Sequence, residues 1–177
     1  MKKRTRYVLL GLLRDEDMNG YEIKKNIENR MKFFWNESSG QIYPELKRLV
    51  EEGKLKKYED EKNTTKRNNF KYSITEEGLR EFNRWMKADC EDDSVRSEKT
   101  LKYFLATDDN KIEIINNLKE DIISGEEKIN LLKTYKDQIE KYIDVHNNHK
   151  YLIEVIDLGI KQEEVKVKWA RDFLDKL

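Results

Sequence analysis

The chain has 177 residues, a formal net charge of zero and 41% charged residues, well above the roughly 25% of an average domain. A single cysteine, Cys90, excludes an internal disulfide framework and a cysteine-built metal cluster, and no run approaches the ~20 apolar residues that span a bilayer. The apolar run Tyr7–Leu13 is too short for a secretory signal, lacks a small-residue cleavage site and meets Arg14-Asp15-Glu16-Asp17 at once, so the expectation is a soluble cytoplasmic protein.

Charge is unevenly spread. Residues 1–75 hold 18 Lys and Arg against 12 Asp and Glu, and residues 76–177 hold 18 against 24. A basic front and an acidic back suggest that one region faces a polyanion and the other has a different task. With one Pro and seven Gly, the periodic apolar residues predict long helices with solvated flanks.

In chain order, a first helix over about 4–14 turns Val8, Leu9, Leu12 and Leu13 inward. Asn19 and Glu22 form a predicted capping box, opening a second helix whose apolar face is Tyr21, Ile23, Ile27 and Met31. Phe33-Phe34-Trp35 leads into a third helix from Ser38 to Gly53. Ser38 and Gln41 make an S-x-x-Q capping box there. Ile42, Leu46, Leu49 and Val50 share one face, while Gln41, Tyr43, Lys47 and Arg48 fall on others. Gly53 suits a left-handed helix stop. Pro44 costs little only in the first helical turn, so the helix is expected to begin nearer Gly40 or to have an irregular first turn.

After Gly53 the period becomes two. Leu55 and Tyr58, a polar loop over 59–69, and then Phe70, Tyr72 and Ile74 predict a β-hairpin. From Lys54 to Tyr72 seven basic residues face three acidic ones, the sign that a phosphate backbone attracts. Thr75 caps a further helix with Leu79, Phe82, Trp85 and Met86 inward. Residues 88–94 read as a linker.

The remainder reads as helical. Leu101, Phe104 and Leu105 mark a first piece. A long helix from near Asp108 carries the seam Ile115, Leu118, Ile122, Gly125, Ile129, Leu132, Lys136, Ile139 and Ile143, heptad-like with two blemishes, Gly125 and Lys136. His146 to His149 interrupts it. Tyr151, Leu152, Val155, Ile156 and Ile160 resume the pattern, and Trp169, Phe173, Leu174 and Leu177 close the chain. So narrow a stripe wants a partner helix, and a second copy of the chain is the simplest source.

Four motifs in this order carry a resemblance. They are Asn19-Gly20-Tyr21-Glu22-Ile23, then Ser39-Gly40-Gln41-Ile42-Tyr43-Pro44-Glu45-Leu46 with Arg48-Leu49, then Glu52-Gly53, and Tyr72-Ser73-Ile74-Thr75-Glu76-Glu77-Gly78. Over residues 1–80 the chain resembles the PadR family of bacterial transcriptional regulators. More loosely, through Gly159-Ile160 and Trp169, the rest resembles the helical C-terminal region of its larger members. Lys66-Arg67-Asn68-Asn69-Phe70-Lys71-Tyr72 keeps the arginine and last tyrosine of the family's wing but lacks the proline that many members have there.

The resemblance implies a mainly α fold: a winged helix-turn-helix DNA-binding domain with a small β-hairpin wing over 1–87, and an all-α dimerisation domain over 95–177. It implies a repressor that binds a pseudo-palindromic double-stranded DNA operator as a homodimer and answers to a small, often aromatic, effector. DNA contacts fall to Ser39, Gln41, Tyr43, Lys47 and Arg48 of the recognition helix, to Lys62, Lys66 and Arg67 of the wing, and to Tyr21. Gln can pair bidentately with adenine, and Lys can meet guanine or phosphate. Leu101, Phe104, Ile115, Leu118, Ile122, Ile129, Leu132, Ile139, Trp169 and Phe173 are the expected dimer interface.

Blander readings exist for each signal. The wing charges suit any solvated loop, and Lys2, Lys3 and Arg4 suit a frayed terminus. Trp35, Trp85 and Trp169 are most simply core or interface aromatics, and only weak effector-site candidates. His146 and His149 have no carboxylate or thiol cluster beside them, so no metal is expected. Cys90 beside Glu91-Asp92-Asp93 would have its thiolate disfavoured. With no nucleophile elbow and no phosphate-cradling glycine loop, neither an enzyme nor a cofactor is expected. The alternative is a winged-helix protein-interaction module that does not bind DNA.

Overall fold

A computed structural model of the chain describes residues 4–31, 33–35, 37–60, 70–90, 97–142 and 148–177. It divides into two compact units, Met1–Asp92 and Asp93–Leu177.

The first unit opens with α1 (Thr5–Leu12), whose Leu9, Leu10 and Leu12 are buried together with Leu13. A two-residue strand, β1 (Met18–Asn19), runs straight into α2 (Gly20–Asn26), which ends in a π-helical turn over Ile27–Met31. Asn19 Oδ1 accepts from the backbone N–H of Tyr21 and Glu22, and Glu22 Oε2 accepts from the N–H of Asn19 at 2.7 Å. The expected capping box is formed. Then come α3 (Ser39–Glu51), β2 (Leu55–Glu59), β3 (Phe70–Ile74) and α4 (Glu76–Met86).

The sheet is antiparallel in the order β1-β3-β2, pairing Met18 with Tyr72, Leu55 with Ile74 and Glu59 with Phe70. The expected hairpin is therefore the larger part of a three-stranded sheet. Two residues are too few to show a period of two, so β1 left no trace in the pattern; the open edge of β3 recruits it.

Leu9, Leu10, Leu13, Ile23, Ile27, Ile42, Leu46, Leu49, Leu55 and Phe82 form one core. Of the expected inward residues, Tyr21 and Met86 are instead exposed, and Trp85 lies at the surface with its ring stacked on Tyr7 at 4.6 Å between centroids. Ionic ties hold the back of α3. Arg6 bridges Glu52 at 2.6 Å and Glu81 at 2.7 Å, and Lys54 reaches Glu77 at 2.8 Å. Thr75 Oγ1 accepts from the N–H of Gly78 and caps α4.

The second unit comprises α5 (Glu98–Leu105), a 3-10 turn over Asp108–Asn110, α6 (Lys111–Glu140) and α7 (His149–Leu174). The helices α6 and α7 lie antiparallel, as the ion pairs Glu126–Arg171, Lys128–Glu163 and Lys136–Asp157 show by their opposite order along the two helices. The α6 seam is thereby used within the chain. Leu118, Ile129 and Leu132 are buried, and Ile114 is buried more fully than the expected Ile115.

Both blemishes in that seam acquire reasons. At Gly125 a Cβ would stand 2.5 Å from Val167 Cγ2, so α7 approaches α6 where α6 has no side chain. Lys136 spans to Asp157 at 3.1 Å. Ile143 lies outside the described residues.

Candidate nucleic-acid interface

Helix α3 is amphipathic by construction. Ile42, Leu46 and Leu49 are fully buried against the core, while Gln41, Tyr43, Pro44 and Lys47 are exposed on the other side. Its start is set by Ser38, whose backbone N–H donates to Gln41 Oε1 at 3.0 Å and whose hydroxyl donates to the same oxygen at 2.9 Å. Because the helix begins at Ser39, Pro44 sits inside it rather than in its first turn. The helix takes neither of the two expected ways round this proline, and the carbonyl it deprives of a donor belongs to Gly40, an exposed residue.

The segment ahead of α3 is anchored by a buried carboxylate. Glu37 accepts from Thr5 Oγ1 at 3.0 Å and from Trp35 Nε1 at 2.8 Å, tying the approach to α3 onto α1. Buried charge needs such donors. Nothing in the sequence pattern marked Glu37, because its partners, Thr5 on α1 and Trp35 two residues before it, do not follow a helical spacing.

Tyr43 leans on the first residue of α2. A Cβ on Gly20 would stand 2.6 Å from Tyr43 Cε1, yet the tyrosine is still 47% exposed. Gly20 thus admits the ring that braces the two helices, with Tyr21 beside it, 56% exposed and open to a ligand. Lys47 is the freest cation on the face, 80% exposed and only loosely paired with Glu51 at 3.8 Å. Arg48 differs. It is bound to Glu45, a buried carboxylate that it neutralises, so it serves the helix first. Ser39, in the first turn, is half-buried.

At the loop end of the hairpin Lys71 pairs with Asp60 at 3.2 Å, and the Tyr58 hydroxyl donates to Asp17 at 2.6 Å. That hydrogen bond to a carboxylate pushes the Tyr58 phenol up to about 12. Lys57 lies over the Phe70 ring at 4.0 Å. The Tyr58–Asp17 clasp joins residues far apart in sequence and had no local signal. Lys62, Lys66 and Arg67 fall outside the described residues.

In the second unit the expected dimer residues divide. Leu118, Ile129 and Leu132 are already covered by α7 of the same chain and cannot also serve a partner. Ile122 and Phe173 pack on the Ile114–Leu118–Ala170 cluster, and Ile115 and Ile139 are partly covered. Leu101, Phe104 and Trp169 are exposed.

Helix α7 also has a second apolar line. Tyr151, Val155, Leu158, Val165 and Trp169 follow spacings of three and four with Gln162 between them, all exposed, on the side away from the buried Ile156, Ile160 and Val167. Tyr103, Trp169 and Phe173 form an aromatic group at one end, where Tyr103 donates to Asp121 at 2.7 Å. His149 is buried with Nδ1 at 2.6 Å from the Tyr142 carbonyl, and His146 lies outside the described residues. Among the described residues no three His, Cys, Asp or Glu side chains are grouped to hold a metal, and no helix is long and apolar enough to cross a membrane.

A helix pair that presents a polar, capped second helix beside a small sheet is a winged helix-turn-helix, here followed by a helical unit. Residues 9–84 match the model of the transcriptional regulator PadR-like family, so the chain carries a PadR-like domain.

The chain is 33% identical over 103 residues to the negative transcriptional regulator PadR of Bacillus subtilis (strain 168), a match that spans 57% of this chain and only 56% of that relative's length. The crystal structure of a PadR-like transcriptional regulator from Bacillus cereus superposes with a TM-score of 0.78 at 28% identity, covering 97% of this chain and 96% of that one. Bacillus subtilis PadR in complex with operator DNA superposes with a TM-score of 0.84 at 23% identity, covering 97% of each, a likeness of fold.

Proposed function

We propose that this chain is a sequence-specific DNA-binding repressor, acting in the cytoplasm as a homodimer on a pseudo-palindromic operator and released by a small-molecule effector, with no enzymatic step. The observation that carries the reading is the outward face of α3. Its polar and cationic residues Gln41, Tyr43 and Lys47 are exposed while its apolar face is fully buried, as a helix entering a major groove requires. The sign of regulation follows the negative regulator to which the chain is 33% identical.

Residues 1–87 are the DNA-binding part in this reading, 88–94 the linker and 95–177 the dimerisation part. Two copies of α3 about 34 Å apart would meet successive major-groove faces of one side of the duplex. Lys47 and the wing cations Lys62, Lys66 and Arg67 supply sequence-independent phosphate attraction. The dimer contact is assigned to the outward line of α7, with Leu101 and Phe104 of α5, in place of the α6 seam that the chain buries itself. An effector would act by binding one inter-subunit arrangement better than another.

A gel-shift titration at several salt concentrations tests the DNA face. Lys47→Ala combined with Arg67→Ala is expected to weaken binding and flatten the salt dependence by about two phosphate contacts per subunit, about four for the dimer, with the oligomeric state unchanged. Unaltered affinity and slope would refute this placement.

A further inference from the structure

We propose that Gln41 reads the operator as a hydrogen-bond donor only, so that it selects a guanine or thymine edge and not adenine. The inference rests on the DNA-binding reading above and sharpens it to one side chain.

The argument begins with the cap of α3. The Ser38 backbone N–H donates to Gln41 Oε1 at 3.0 Å. A backbone N–H cannot accept, so the amide group of Gln41 is oriented by chemistry, with its oxygen toward Ser38 and its nitrogen away. The Ser38 hydroxyl donates to that same oxygen at 2.9 Å. A carbonyl oxygen has two lone pairs, and both are taken by Ser38.

Bidentate pairing with adenine needs an acceptor for the N6 amine and a donor for N7 from one amide. Here the acceptor is engaged in starting the helix. What Gln41 offers outward is Nε2 with its two hydrogens, which suits the N7 and O6 acceptors of guanine or the O4 acceptor of thymine, whereas adenine sets its single acceptor, N7, beside an N6 amine that opposes a second donor. Access is open, because Gln41 is exposed and the residue before it has no side chain. A Cβ at Gly40 would meet only Ser38 Oγ, at 3.6 Å. Pairing with adenine would require Gln41 to leave Ser38, which unmakes the cap of the helix that presents it.

The test is selection of bound duplexes from a random pool by the full-length wild type, Gln41→Glu and Gln41→Ala, each first checked for an unchanged thermal midpoint. Glutamate keeps an oxygen for Ser38 but turns the outward atom from donor to acceptor.

The wild type is expected to enrich guanine or thymine at one position of each half-site. Gln41→Glu is expected to move that position toward cytosine or adenine, whose amines donate, by roughly tenfold. Gln41→Ala is expected to level it. Adenine enriched by the wild type at the position that Gln41→Ala levels overturns the proposal and leaves the DNA-binding reading standing. So does a wild-type preference that neither variant alters. A wild-type pool with no enrichment at all overturns both.

Discussion

Cγ2 of Val167 lies 2.5 Å from the place a Cβ on Gly125 would occupy. The two long helices of the second unit therefore approach closely at a point where α6 has no side chain. Intrinsic helix preference and packing make opposite predictions at this site. Alanine favours a helix over glycine by about 0.8–1 kcal/mol, whereas overpacking costs about 1–3 kcal/mol. Val167 is β-branched and stiff about its first torsion, so it yields poorly. Gly125→Ala is expected to lower the urea midpoint of the second unit, and adding Val167→Ala to recover part of the loss. A midpoint raised by Gly125→Ala alone would show that the contact is not tight.

Gly78 offers a sharper case in the first unit. A Cβ there would stand 2.3 Å from the Lys54 carbonyl oxygen, a backbone atom that cannot rotate away. Gly78→Ala should cost about 2 kcal/mol or more, within the range of severe backbone and packing defects. Gly40→Ala, with only Ser38 Oγ at 3.6 Å, should leave the thermal midpoint within about 2 °C, the shift of a change well under 1 kcal/mol. Equal midpoints for the two variants would contradict the packing described for α4.

The ionic ties behind α3 predict an acid response. The Lys54 hydrogen bond, helped by Arg80, holds the Glu77 carboxyl at about 2, below its ordinary 4.5. The hydrogen bond from Arg6 lowers that of Glu52 likewise. A carboxyl depressed in the folded state binds its proton first in the unfolded state. Its stabilisation is thus complete above pH 4.5 and fades as the pH falls toward 2. The thermal midpoint of the first unit should decline across that window, and Glu77→Gln should decline less steeply. Parallel declines would remove Glu77 from the account.

The division of apolar residues in the second unit separates folding from association. Leu158→Glu, on the exposed line of α7, is expected to leave helix content intact by circular dichroism and to shift sedimentation equilibrium toward monomer. Leu132→Glu, in the buried seam, should instead unfold the unit, because it buries a charge without a partner. Dissociation without unfolding in Leu132→Glu would restore the α6 seam as the subunit contact.

Much of this was legible beforehand. Both capping boxes, Asn19 with Glu22 and Ser38 with Gln41, follow from spacing and form as expected. Ile42, Leu46 and Leu49 are buried, as their helical period requires. The left-handed turn at Gly53, φ 69°, follows from glycine's lack of a Cβ. Each of these depends on residues within one turn of helix or one tight turn, where the chain's own geometry leaves few choices.

Other features depended on contacts between distant segments. That β1 adds to β3, that Glu37 gathers Thr5 and Trp35, and that Tyr58 clasps Asp17 could not be read from any local period. The clearest example is the α6 stripe. A heptad shows that a helix needs an apolar neighbour but not which one supplies it. The return of α7 across Gly125 answered that question, because a segment tethered to the same chain reaches the seam without the translational cost of recruiting a second molecule. The sequence determined the helices, their caps and their faces, while the tertiary structure decided which faces were covered.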